Sequence, residues 1–179
     1  MVGSILEEKI VGLFADGRSA YSILQISRLL GRSYPHVYNV VQVLLEDHVL
    51  LKLVVGNTHL CTVNLDSDKA VILLSLHHLR KRESLRKHEL SLLTSLKEAK
   101  DLFSTAFLAK GRFYVVTEDK KKAKKRFQSL TCIDRRECSE LFVGQNLNKD
   151  ALVLLGFEGY YDILRHVLDR LPGPLEFLR

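Results

Sequence analysis

A chain of 179 residues that is 46% apolar has room for one ordinary domain or two small ones, with enough apolar side chains for a packed core. That excludes wholesale disorder, and no apolar run approaches the roughly 18 to 20 residues a membrane-spanning helix needs. The net charge of +6 favours an acidic partner such as nucleic acid.

The opening MVGSILEEKI carries glutamates where a signal peptide would be positive, so a cytoplasmic location with no membrane partner is expected. Periodicity then predicts a first helix from about Ser4 to Ala15, with Ile5, Ile10, Leu13 and Phe14 inward and Asp16-Gly17 ending it. A second helix follows from about Ser22, which stands three residues before Gln25 in capping-box spacing. Its inward stripe reads Ile23, Ile26, Leu29 and Leu30, and Gly31 permits a sharp turn. In the third helix Val37, Val40, Val41, Leu44 and Leu45 recur at i, i+3, i+4, i+7 and i+8. Ser33 is its expected cap, and Pro35 falls in the first turn, where no intrahelical N–H is lost. Two apolar strands flank Gly56-Asn57, a pair suited to a primed hairpin turn.

Asp66-Ser67-Asp68 signals another helix start, leading through Ala70, Leu73, Leu74 and Leu76 into the basic stretch HHLRKRESLRKH. The helical pattern resumes at Leu85, Leu92, Leu93 and Leu96; whether the chain breaks near Glu83-Ser84 is left open by periodicity. Beyond Leu102 an apolar run to Leu108, a turn at Lys110-Gly111 and a strand from Arg112 to Thr117 are expected. A helix over Lys120–Leu130 should hold Ala123, Phe127 and Leu130 inward. Asp134 and Glu137 form a second capping-box spacing before a helix through Phe142. Ala151–Leu155 reads as a buried strand, and a last helix runs from Gly156 toward Pro172-Gly173-Pro174, followed by an apolar tail at Leu175, Phe177 and Leu178. The expected fold is a mix of α+β and α/β: three helices with a two-stranded hairpin over 1–65, a basic linker helix over 66–88, and a small α/β domain over 89–179.

Tyr21 to Leu65 resembles the winged helix-turn-helix of prokaryotic, particularly archaeal, transcriptional regulators. The stretch from about Leu90 to Arg170, through FSTAFLAKGRFYVVTEDKKKAKKRF and ALVLLGFEGYYDILRHVL, resembles the nucleotidyltransferase fold of the polymerase-beta superfamily. That family holds two metal ions on strand aspartates spaced i and i+2, a spacing that points both to one face. The matching strand here, Lys110 to Val116, has no acid, and Glu118 and Asp119 are adjacent rather than alternate. The family's Gly-Ser turn is also missing, so the resemblance implies a degenerate domain without catalytic residues.

If the apolar side of the third helix is buried, its opposite edge presents His36, Asn39, Gln42 or Val43, and Glu46, with Arg32, Ser33 and Tyr34 at its start. Asn or Gln can bond bidentately to adenine. Arg28, Lys52, Asn57, Thr58 and His59 are candidate backbone contacts, and Arg80, Arg82, Arg86 and Lys87 possible phosphate contacts. Yet residues 1–65 carry five basic and five acidic side chains, whereas 101–130 carry eight against three, so most of the positive charge lies outside the helix-turn-helix. The lysines of DKKKAKKRF read either as a solvated face or as a second phosphate contact.

Cys61, Cys132 and Cys138 cannot all pair and form no CxxC, which predicts reduced, buried thiols. His77 and His78 diverge on a helix, and no metal or cofactor is expected. The reading is a homodimeric DNA-binding regulator of double-stranded DNA, not an enzyme, with the second domain serving dimerisation, an effector of unknown identity or a partner. A nucleotidyltransferase with displaced carboxylates and a protein-protein assembly module are the alternatives.

Overall fold

The computed structural model describes residues 4–170, a mixed α+β fold whose described residues form eight α-helices and two small sheets. Contacts divide it into two units. Among the described residues the first comprises 4–77 with 168–170, and the second 78–167. The division falls inside a helix at His77/His78, not at the 65/66 and 88/89 boundaries expected from composition. The segment read as a linker is therefore shared between the two cores.

In the first unit, helix α1 (Ile5–Gly12) starts on Ser4, whose hydroxyl accepts the Glu7 N–H, and ends three residues short of the expected Ala15. Ile10, Val11 and Phe14 are buried, but Ile5, expected inward, is 58% exposed. Helix α2 (Ile23–Leu30) has the full capping box, with the Ser22 hydroxyl accepting from Gln25 N–H and Gln25 Oε1 accepting from Ser22 N–H. Helix α3 spans Tyr34–Glu46 and seats Val37, Val41 and Leu44 completely out of water. Burial of such side chains stabilises by about 1.5 to 3 kcal/mol each. Strands β1 (Leu50–Val55) and β2 (Thr58–Val63) pair antiparallel around Gly56-Asn57. Only Gly56 takes positive φ there, as a type II′ turn requires.

Two further expectations fail in this unit, one inward assignment and one cap. Leu29 is 57% exposed and Ser27 is buried in its place, its hydroxyl donating to Leu24 O. Ser33 occupies the cap position of α3 in extended conformation, but its side chain makes no cap hydrogen bond.

Helix α4 (Asp68–Lys81) starts on Ser67, whose hydroxyl accepts from Ala70 N–H. A 3-10 turn at Arg82–Ser84 separates it from α5 (Lys87–Glu98), so the chain does break near Glu83-Ser84. His77 packs against Gly12 in the first unit, where a methyl group on the glycine would meet its ring at 2.2 Å. His78 belongs to the second unit, fully buried with its Nε2 2.8 Å from the Tyr161 hydroxyl.

The second unit is a four-stranded sheet of order β5-β4-β3-β6 between helices. Strands β3 (Thr105–Ala109) and β4 (Arg112–Val116) form a hairpin whose turn residues, Lys110 and Gly111, both have positive φ, the type I′ pattern. Strand β5 (Thr131–Ile133) runs parallel to β4, and β6 (Leu152–Leu155) antiparallel to β3. Alternation along β3 assigns the two sheet faces. Phe107 meets Tyr114, Phe142 of α7 (Arg135–Gln145) and Tyr160 of α8 (Phe157–Leu168) at ring distances of 5.1, 5.8 and 5.5 Å. Ala106 and Val115 share the opposite core with Leu93 and Leu96 of α5 and Ala123 of α6 (Lys120–Arg126). Helix α6 stops at Arg126, earlier than the expected Leu130, yet Phe127 and Leu130 are still buried. The expected break at Pro172-Gly173-Pro174 and the tail beyond it lie outside the described residues.

Gly156 joins β6 to α8 with φ +67°, and a Cβ there would sit 2.0 Å from the Ser104 carbonyl oxygen. Gly31 has a similar φ of +59° but open space around it. Gly156→Ala should therefore lower stability by about 2 to 3 kcal/mol, and Gly31→Ala by about 1 kcal/mol. Urea midpoints of the two variants compared with the parent chain check the ranking.

Candidate nucleic-acid interface

The corner between α2 and α3 is set by backbone chemistry. Gly31 adopts the left-handed conformation, its N–H donating to Arg28 O at 3.2 Å while Arg32 N–H donates to Ser27 O at 3.0 Å, the paired bonds of a Schellman ending. The hairpin is tied to the helices by Tyr21, which exchanges backbone hydrogen bonds with Cys61 at 3.0 and 2.8 Å.

With Val37, Val41 and Leu44 seated, helical geometry leaves His36, Asn39 and Val43 along one outward line, all of them exposed, and Arg32, just ahead of the helix, is exposed as well. Arg28, Ser33 and Tyr34 are exposed beside them at the start of α3, and Lys52, Asn57 and His59 are exposed on the hairpin. Gln42 is half-buried instead, in a groove that α3 shares with the start of α2 and the hairpin. Leu24, Tyr34, Tyr38, Lys52 and His59 also line that groove.

The polar groups among these carry no side-chain hydrogen bond or ion pair with the described residues. Tyr38, which the sequence reading passed over, stacks obliquely on Tyr34 with ring centroids 6.0 Å apart. The signal for it was available: two tyrosines at i and i+4 on a helix adjoin each other.

Several acids of this unit are engaged elsewhere, while Glu46 at the end of α3 is exposed on its outward side. Lys69 donates to Asp47 at 2.6 Å, beyond the C-terminal end of α3, and lies 3.7 Å from Glu7. The hydrogen bond to Asp47 is the main cause that raises the Lys69 pKa. Asp16 accepts from Arg18 N–H and Ser19 N–H, holding the turn after α1, and Glu8 is buried. The neutral balance of residues 1–65 is thus unevenly placed, with Arg28 in the last turn of α2, Arg32 just ahead of α3, Asp47 and Glu7 held by Lys69, and Glu46 exposed at the far end of α3.

The expected phosphate contacts on the basic stretch are not equivalent. Arg82 is half-buried with its guanidinium 4.9 Å from the centre of the Phe157 ring, and burial lowers its pKa. It is a packing residue of the second unit. Arg80, Arg86 and Lys87 are exposed.

No residue of β4 is acidic, and the exposed Glu118 and Asp119 follow the strand. Asp119 caps α6 by accepting from Lys122 N–H at 2.9 Å. Asp134 caps α7 in a full capping box with Glu137, and Lys120 bridges both carboxylates at 2.8 and 3.0 Å. The three acids near the ends of β4 and β5 that sequence singles out are therefore helix-capping or exposed groups. Among the described residues no three His, Cys, Asp or Glu side chains are grouped to hold a metal ion. The cysteines are free and buried; burial raises all three thiols, Cys138 to about 12. No helix of the described residues is long and apolar enough to cross a membrane.

No protein-family model, characterised protein or solved structure matches the chain.

The Lys120 bridge has a pH signature. Its hydrogen bond is the main cause depressing the Asp134 pKa. For Glu137 the main cause is the hydrogen bond accepted from Asp134 N–H, with Lys120 next. Carboxyls held below their ordinary values confer stability that is complete at neutral pH and lost as pH falls through the usual carboxylate range near about 4 and below. Lys120→Met should lower stability at pH 7 and narrow its difference from the parent chain at pH 3. Urea titrations at the two pH values, repeated in high salt where this exposed bridge is screened, measure the change.

Proposed function

We propose that the first unit is a winged helix-turn-helix that binds duplex DNA sequence-specifically, with β1–β2 as its wing and α3 as its recognition helix. The observation that carries this reading is the outward line His36, Asn39 and Val43 on a helix locked from behind by three buried side chains, with the exposed Arg32 just ahead of it. Among the described residues no partner takes up its hydrogen-bonding groups. A rigid helix with free donors and acceptors meets what major-groove readout requires, because specificity comes from side chains held at base edges by a fixed scaffold.

In this reading Asn39 reads an adenine edge, Arg32 and His36 reach bases or phosphates at the start of α3, and Lys52, Asn57 and His59 approach the backbone from the wing. The functional molecule is a homodimer in which each protomer supplies one α3 to a half-site, the two spaced by about one helical turn of DNA. The second unit is a degenerate nucleotidyltransferase-like domain that serves dimerisation, an effector or a partner, and the protein acts as a cytoplasmic transcriptional regulator, not as an enzyme. The absence of an alternating acid pair from β4 and the capping roles of Asp119 and Asp134 support this over a displaced catalytic site.

A second reading is favoured by one observation: Leu29, Val43 and Val54 are exposed apolar groups on α2, α3 and the hairpin, chemistry that suits a protein partner. Selection of bound fragments from genomic DNA separates the two. Enrichment of one sequence supports the regulator, whereas no retention at moderate salt supports the assembly module. On an enriched site, Asn39→Ala and Arg32→Ala should each weaken binding by about 5- to 150-fold, the value of one good bidentate base contact. Unchanged affinity in both variants overturns the proposed docking of α3.

A further inference from the structure

The second unit carries a concentration of positive charge that the docking of α3 does not use. Helix α6 has the sequence KKKAKKR, and it is anchored from one side only. Ala123 is fully buried, Phe127 just beyond the helix is buried as well, and Asp119 caps the first turn. That anchoring turns Lys121, Lys122, Lys124 and Lys125 outward, and all four are exposed with no ion pair among the described residues. The other two cations of the helix behave differently: Lys120 is consumed by Asp134 and Glu137, and Arg126 leans on Glu98 at 3.9 Å. Of the acids around the helix, Asp134 and Glu137 are engaged by Lys120, Glu98 by Arg126, and Asp119 by the backbone of the first turn, which leaves Glu118 and Asp101, lining the groove beside Lys122, against four exposed ammonium groups.

We propose that this outward face of α6 is a second phosphate-contacting surface for duplex DNA, separate from the α3 surface. The argument is one of charge density. From Lys121 to Lys125 the helix rises by about 6 Å. Duplex DNA presents one negative charge per about 3.4 Å of its axis on each strand, so about two phosphates of one strand fall within that rise, and about two more on the facing strand across a minor groove only about 6 Å wide. An extended acidic polypeptide offers one carboxylate per about 3.3 Å, the spacing of one DNA strand, but alternates them between two faces and has no second charged strand across a groove. Four lysines on a single short helix therefore match the duplex better than an acidic protein segment. No aromatic side chain is interleaved with them, so the contact is to the backbone and indifferent to sequence.

This inference rests on the reading that the chain binds duplex DNA, and the test keeps the two apart. Affinity of the full chain for a 30-base-pair duplex of random sequence is measured by anisotropy between about 50 and 300 mM KCl, where each phosphate contact adds about 0.9 to the salt slope. The probes are a four-fold Lys→Gln variant at 121, 122, 124 and 125, a charge-matched control with Lys9, Lys97, Lys100 and Lys149 changed to Gln, and Arg32→Ala with Asn39→Ala.

The α6 variant should flatten the slope by about 3, with the control changing it by less than about 1. An α6 variant that keeps the parent slope, or flattens it no more than the control, overturns the α6 contact and leaves the α3 reading standing. Loss of binding in the α6 variant, with no effect of the α3 changes on an enriched sequence, overturns the α3 reading and keeps this one. A parent chain that retains no duplex at the lowest salt overturns both. Poly-L-glutamate that displaces the duplex as effectively per charge as unlabelled DNA overturns the choice of partner. Unchanged urea midpoints in the α6 variant establish that the lost contact is not lost folding.

Discussion

The seating of Val37, Val41 and Leu44 against the helices beneath them is the constraint on which the first unit depends. These three side chains lie at i, i+4 and i+7, so their burial fixes the rotation of α3 about its own axis and with it the identity of every outward residue. A slip of one position would swing each side chain by about 100° and exchange Asn39 for Val40 on the free edge. The Schellman ending at Gly31 fixes the direction of approach, because its two backbone bonds close α2 within a single residue of left-handed chain. What α3 offers to a partner is thus a consequence of packing on its other side.

Charge is arranged in the first unit by the same kind of local commitment. Over residues 1–65 five acids and five bases cancel in the count, but Lys69, beyond that stretch, gathers Asp47 and Glu7 past the end of α3, and Asp16 is spent on the turn after α1. Arg28 and Arg32 remain near the start of α3 without acidic partners. In the second unit Lys120 silences two carboxylates, while the rest of α6 points four cations to solvent. Net charge by itself says little about binding; which charges are already paired says more.

Several elements were legible in the sequence because their signals are local. The capping boxes at Ser22-Gln25 and Asp134-Glu137 formed as spaced, since a side chain and a backbone N–H three residues apart meet as soon as the helix does. Both hairpins turned at the expected Gly56-Asn57 and Lys110-Gly111 pairs. Strand β5 was not legible, because three residues are too few to display a period and its pairing partner β4 lies across a helix. Leu29 misled for a different reason. A leucine at the right spacing marks a face that can be buried, but whether another element arrives to cover it is decided elsewhere in the chain.

The candidate surface divides in the same way. The sequence alone determined that α3 has an apolar side and a polar edge, that β4 lacks the alternating acids of a metal-binding strand, and that the lysines crowd into one stretch. Each follows from residue type and spacing, which survive any folding. Only tertiary structure decided that Gln42 is drawn into a groove beside Tyr38, that Arg82 lies over Phe157, and that Asp134 and Glu137 share one lysine. Those outcomes need groups far apart in the chain to arrive at the same place, and no periodicity within a single helix or strand encodes where its neighbours will stand.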